Sequence, residues 1–327
     1  MKRNTLLKAG RHMVIALTIF IVGGWLAFVP SAQEPAYEFV TAWGEKGSAP
    51  GQFNDPTGIA VAGDEVFVSD ARNGRIQVFD LDGRFRRQFG TPGNAPGQLG
   101  RPMNLAIHNG ELYVAEYFND RIQVFSLGGQ SRRLIGKSGN GPGEFNAPGG
   151  VAVAPNGDVL VADFYNQRIQ QLDADGSFVR QWGTTGQIGI RASEFNYPTD
   201  VAVGPEGALY VADGYNDRIQ EFALDGAFLR KWGGPFAMNV FGPFSGWFAT
   251  VTGVAVDPQG NVFAADFYNH RIQKFSPDGT FLTRFGTKGD GEGQFDHAIA
   301  AAVAGDGTVF AVDFGNSRIQ KWRPAEP

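Results

Sequence analysis

The stretch "ADFYNQRIQ", residues 162–170, sets an acid, an amide and an arginine within six positions. Asp163, Asn166 and Arg168 could form a catalytic triplet, or they could hold a turn together. The rest of the chain decides between these, because the motif occurs six times. The copies are "DARNGRIQVF" from 70, "EYFNDRIQVF" from 116, "DFYNQRIQQL" from 163, "DGYNDRIQEF" from 213, "DFYNHRIQKF" from 266 and "DFGNSRIQKW" from 313. Their starts are 46, 47, 50, 53 and 47 residues apart, close to the period of propeller blades.

Each unit reads as four short strands. In the third, "GGVAVAP" is apolar and "NG" is a turn; "DVLVAD" is a near-continuous apolar strand of the kind buried on both faces. "RIQQLDA" alternates, "DG" is a tight hairpin, and "SFVRQWG" is a more polar outer strand. Residues 37–327 are therefore expected to fold as one all-β, six-bladed propeller with four-stranded blades. The chain stops at "KWRPAEP", before the last blade has an outer strand, whereas "EFVTAWG" at 38–44 matches "SFVRQWG". The N-terminal strand should complete the sixth blade and leave the ring without a free edge.

Residues 1–36 read differently. Lys2, Arg3, Lys8 and Arg11 precede "MVIALTIFIVGGWLAFV" at 13–29, which carries no charge. Seventeen apolar residues are short for a membrane span and long for a signal core. Pro30 spoils the cleavage site, so the expectation is one N-terminal hydrophobic helix acting as an anchor, with a cleaved signal as the alternative. The leading positive charge would keep the N-terminus inside and place the rest on the periplasmic or extracellular side.

Composition narrows the function. There is no Cys in the 327 residues, which excludes disulfides, thiolate zinc sites and cysteine nucleophiles. Residues 37–327 hold 24 Lys and Arg against 32 Asp and Glu, a net charge of −8. Such a domain is a poor partner for nucleic acid, whose binding rests on neutralising phosphates.

"RIQxF" preceded by "VADxxN", with "GxFxxPxGVAV" upstream, resembles the NHL repeat of six-bladed propellers. The resemblance implies a platform that binds a protein, peptide or glycan at one face. Related six-bladed propellers include lactonases and the peptide-amidating lyase, so an enzyme with a divalent cation in its channel is the alternative function.

A group repeated six times cannot be a single active site, which needs one set of groups in one geometry. The acid, Asn and Arg series therefore read as hairpin scaffold, with Asn accepting positive φ and bonding its own backbone. The residues between them differ from copy to copy and are the binding candidates: Arg72, Tyr117, Phe118, Phe164, Tyr165, Tyr215, Phe267, Tyr268 and Phe314. They either ring one mouth of the channel or pack between neighbouring loops.

The inner strands hold a second irregularity. Before each "VAV"-type core stand Gly58, Asn104, Gly150, Asp200, Gly253 and Ala300, so Asn104 and Asp200 are the polar exceptions facing the channel. Three positions earlier the series is Asp55, Arg101, Ala147, Tyr197, Thr250 and His297. With His297, Asn104 and Asp200 make a candidate channel site. No cofactor is required by the sequence; Ca²⁺ is the one candidate, although it takes six or more oxygen ligands. His108, His270 and His297 fall at three different repeat positions, so a three-His zinc site is not expected. Neither GxSxG nor HExxH occurs.

The last irregularity is "GGPFAMNVFGPFSGWFATV", 233–251, an uncharged insertion. Phe248 takes the place of the repeat's standard Phe, but Phe241 and Trp247 have no counterpart. They are candidates for covering the mouth, docking a partner or touching a membrane.

Overall fold

The computed structural model describes residue 32 and residues 34–325; the hydrophobic run at 13–29 lies outside the described residues. The third blade shows the plan. Its strands Pro148–Val153, Val159–Asp163, Arg168–Leu172 and Phe178–Trp182 form one antiparallel sheet in sequence order. Five further four-stranded sheets repeat it. The inner strands are Pro56–Ala62, Pro102–His108, Pro148–Val153, Pro198–Val203, Val251–Val256 and Ala298–Val303. Each lies beside the next, and the last returns to the first. The result is the expected six-bladed propeller.

The ring closes as the sequence predicts. Tyr37–Trp43 runs antiparallel to Arg318–Pro324, with Phe39 opposite Trp322 and Trp43 opposite Ile319. Tyr37 also stacks on Phe285 of the fifth blade at 4.7 Å, so this strand seals an interface as well as an edge.

The core lies between blades. Ala152, Leu160 and Ala162 of the third blade meet Val201, Val211 and Phe222 of the fourth. Ile59 and Val68 of the first meet Val312 and Ile319 of the sixth in the same way. Phe53, Phe145, Phe195, Phe248 and Phe295 are fully buried at these seams, each contributing about 1.5–3 kcal/mol of transfer free energy. Phe248 is thus core, as its place in the repeat suggested.

The register fixes two faces. One carries all six hairpins between second and third strands, such as the turn joining Asp163 to Arg168. The other carries the chain's entry, because Tyr37 pairs with Pro324, at the far end from Arg318. Ala32 and Glu34 lie on that face too: Ala32 N–H donates to Phe281 O at 3.2 Å, and Glu34 pairs with Lys274 at 2.6 Å.

Candidate functional site

The motif is a clamp. Asp163 is fully buried, and its Oδ2 accepts from Asn166 Nδ2, Arg168 Nε and Gln170 Nε2 at 2.9, 2.8 and 3.2 Å. Its Oδ1 accepts the backbone N–H of Asn146 at 2.7 Å. The donors also reach outward: Asn166 to Gly139 O, Arg168 to Gly141 O and Glu144 O, and Gln170 to Glu144 O. The network therefore pins the connector that enters the blade. It recurs in every blade, with the arginine Nε 2.7–2.8 Å from Asp70, Glu116, Asp163, Asp213, Asp266 and Asp313. The scaffold reading is correct, but the role given to Asn is not. Positive φ falls one residue later, on Gly74, Asp120, Gln167, Asp217, His270 and Ser317. The Asn amide instead bonds the buried carboxylate and a distant carbonyl. The glutamine of "RIQ" is a fourth member, bonded to the clamp acid in each blade, and its recurrence in all six copies is the sequence signal for it.

The two residues before each Asn divide their work. The first, Ala71, Tyr117, Phe164, Gly214, Phe267 or Phe314, is buried or half-buried. The second, Arg72, Phe118, Tyr165, Tyr215 or Tyr268, is exposed, Phe118 by 66% and Tyr268 by 61%. The rings touch in series. Tyr117 contacts Phe164 at 6.3 Å and donates its hydroxyl to Tyr165 at 2.9 Å; Phe164 meets Tyr197 at 4.9 Å, and Tyr197 meets Tyr215 at 5.1 Å. Arg101 lies over Tyr117 and Phe118 at 5.8 and 5.6 Å. A second arc joins Phe314, Phe267, His297 and Tyr268. The rings therefore pack on one another, and Tyr117 and Phe164 also reach the channel. Arg72 stands apart from the aromatics, paired with Asp55.

Inside this rim is a cavity of about 140 Å³, with Tyr117 and Phe164 at its collar and Asn104 and Asp200 lining it. Three threonines in its wall have their hydroxyl protons committed: Thr57, Thr199 and Thr252 donate to Pro102 O, Val251 O and Ile299 O of the following blade. The wall is left with methyl groups, Met103, Ile299 and Ala300. Asn104 Nδ2 donates to Asp200 Oδ1 at 2.5 Å, and the backbone N–H groups of Val201 and Val254 donate to Oδ1 and Oδ2 at 2.8 and 2.9 Å. Burial pushes the Asp200 carboxyl up to about 7, against these three donors, which favour its charged form.

Two expectations change here. Ca²⁺ does not fit between Asn104 and Asp200, because Asp200 is met by N–H donors and Asn104 turns its nitrogen toward it while its oxygen accepts the Leu105 N–H. His297 is not with them either. It is not among the residues lining the cavity, and its ring lies against Phe267 at 4.4 Å.

His270 and His297 do come together, though they hold different positions in their repeats, while His108 sits beside Asn109 in another blade. Their rings are 4.5 Å apart, and Asp296 Oδ1 is 2.8 Å from His297 Nδ1. These three could in principle hold a metal ion. The protons argue otherwise: His270 Nδ1 accepts the His297 backbone N–H at 3.0 Å, so the neutral ring carries its proton on Nε2. Metal-bound histidines donate from their second nitrogen instead. Asp120, Gln167 and Asp217 make the same bond to the next blade's Ala147, Tyr197 and Thr250, so His270 fills a structural position.

The insertion lies on the same face, since Asn269 and Arg271 donate to its Gly242 and Pro243 carbonyls. Phe241 is 72% exposed. Trp247 is half-buried, its ring 5.0 Å from Phe244 and its carbonyl holding Arg271 and Gln273. The two residues, grouped by sequence, have different roles.

Comparison with known proteins agrees with this geometry. Residues 53–79, 145–172, 195–222 and 248–275 match the NHL repeat. The chain contains four NHL repeats. The second and sixth blades lie outside those matches but carry the same clamp. "Protein brain tumor" of Drosophila melanogaster is 50% identical over 48 residues, which is 14% of this chain and 5% of that protein. Among solved structures, a Bacteroides thetaiotaomicron protein of unknown function shares 17% identity at a TM-score of 0.69, covering 89% of this chain and 76% of that one. Virginiamycin B lyase from Staphylococcus aureus shares 17% identity at a TM-score of 0.57, covering 88% of this chain and 99% of the lyase. At such identities the solved structures share the fold alone.

Proposed function

We propose that this NHL propeller is a binding module whose ligand, a protein, peptide or glycan, sits on the hairpin face over the channel mouth. The observation that carries the reading is the rim, where Phe118, Tyr165, Tyr215 and Tyr268 stay exposed around an apolar cavity. Exposed aromatics gathered in one place are costly unless covered part of the time. We further read residues 13–29 as a tether that exports the propeller. The entry of the described chain on the opposite face supports a rim turned away from that membrane, so the insertion would meet a partner and not lipid. Photo-crosslinking tests this. A benzophenone side chain at position 118 or 268 should capture ligand, and one at exposed Val179 or Leu229 of the outer strands should not. Capture only at the outer strands would overturn the reading.

A lyase- or lactonase-like activity is the second reading, favoured by Asp200, whose carboxyl near 7 suits a general base. Turnover of a lactone panel by the wild type and not by Asp200→Asn would put it first.

A further inference from the structure

We propose that the channel-mouth pocket takes the alkylammonium end of a ligand, with Asp200 as its counter-charge. The inference rests on the binding-face reading and names the chemistry the face selects.

Asp200 is 1% exposed and lines the pocket, yet no Arg, Lys or His among the described residues pairs with it. All six clamp carboxylates, by contrast, hold an arginine. Buried carboxylates without a cation are expensive; Asp217 and Asp257 are also buried without one, but among the described residues Asp200 is the one that lines this pocket. Its three neutral donors stabilise the anion without cancelling its charge. They occupy two sites on Oδ1 and one on Oδ2, whereas a carboxylate offers about four. One acceptor site on Oδ2 is therefore left for a ligand donor.

The rest of the pocket suits the carbon chain and the approach of such a group. The threonine hydroxyls are turned into the strands, so the wall offers methyl and methylene surface to an alkyl chain. At the collar, Tyr117 and Phe164 present rings to the path of a cation, an arrangement that attracts ammonium groups. The volume, about 140 Å³, compares with the roughly 150 Å³ apolar cavity that admits benzene. A lysine-type side chain matches this order of acid floor, apolar wall and aromatic collar. Tyr117 is the other titratable group lining the pocket; burial and the Tyr165 hydroxyl push its phenol up, so it stays neutral.

The test uses the full chain and two probes with the same four-carbon side chain, Nα-acetyl-lysine methylamide and its norleucine counterpart, which lacks the terminal ammonium, titrated by ligand-observed NMR. At pH 8 the lysine probe should bind at least about tenfold tighter. That preference should fade toward pH 5.5 as Asp200 takes up its proton, a readout that needs no variant. Asp200→Asn should remove it while leaving norleucine binding in place. Equal binding of the two probes at pH 8 would overturn the ammonium inference and leave the binding face standing. Displacement of the lysine probe by Ca²⁺ in the wild type would overturn it in favour of a metal site. Failure of both probes to bind would overturn it too, with the crosslinking experiment then judging the face separately.

Discussion

Asn104 of the second blade hands its side-chain amide to Asp200 of the fourth at 2.5 Å, past Gly150 of the third. A Cβ on Gly150 would stand 2.6 Å from Asp200 Cα, and the residue has no positive φ. Its lack of a side chain thus serves close approach and not a turn. Gly150→Ala should destabilise the protein by about 1–3 kcal/mol through overpacking, measured as a lower midpoint in urea with an unchanged slope. An unshifted midpoint would mean that the inner strands can part without cost.

The clamp predicts a larger effect. Arg168 and Asp163 are both essentially unexposed, so Arg168→Met leaves a carboxylate buried without its cation. Removing one partner of such a pair costs about 3–5 kcal/mol. Arg168→Met with Asp163→Asn should recover part of that loss, since the charge is then gone as well. By comparison Arg84, whose side chain is 75% exposed beside Asp80, should give less than about 1 kcal/mol on conversion to Ala. Denaturant melts of the three variants would expose a failure of this ranking.

Acid should loosen the seam between the fifth and sixth blades. Burial first, then the facing His297 and Lys288, lower the pKa of His270, with Asp296 opposing. The folded state thus prefers the neutral ring, and the unfolded chain takes up a proton first, near 6.5. Stability is then present above that value and is lost as pH falls below it, by at most about 1.4 kcal/mol per unit. Protonation would also set an N–H at Nδ1 against the His297 N–H it now accepts. His270→Gln copies the third blade, where Gln167 Oε1 accepts from Tyr197 N–H at 2.6 Å. Urea midpoints at pH 7.5 and 5.5 should show a smaller drop in that variant; equal drops would assign the acid sensitivity elsewhere.

These cases show what the sequence could and could not convey. Repetition made the propeller, its closure by Tyr37–Trp43 and the common face of the hairpins legible, because each follows from counting strands. It also marked the Asp163 series as scaffold. Contacts between blades were harder to see. His270 and His297 occupy unlike positions in their repeats and meet only because a hairpin leans on the start of the next blade. Asn104 and Asp200 meet only because Gly150 is small enough to let them. Period alone does not say which side chains span a seam or an axis.

Ring closure gives another prediction. Without residues 34–45 the strand Arg318–Pro324 would be an open edge, and Tyr37 would leave its place on Phe285. Exposed edges invite pairing with other chains. The truncated protein should therefore elute as oligomers or aggregate in size-exclusion chromatography, where a well-behaved monomer would refute the role given to this strand.

The insertion separates a contact surface from a support. Phe241→Ser removes a largely exposed ring and should leave the melting temperature nearly unchanged, within the roughly 0.5 kcal/mol typical of surface changes. Trp247→Ser removes a half-buried ring that stands on Phe244 and closes over Gly242. Its loss also loosens the carbonyl that Arg271 and Gln273 share, so a cost of about 2–4 kcal/mol is expected, near the range for truncating a packed aromatic. If the insertion belongs to the binding face, Phe241→Ser should weaken ligand capture at position 268 while the protein stays folded. A drop in melting temperature as large as that of Trp247→Ser would place Phe241 in the packing and remove it from the surface.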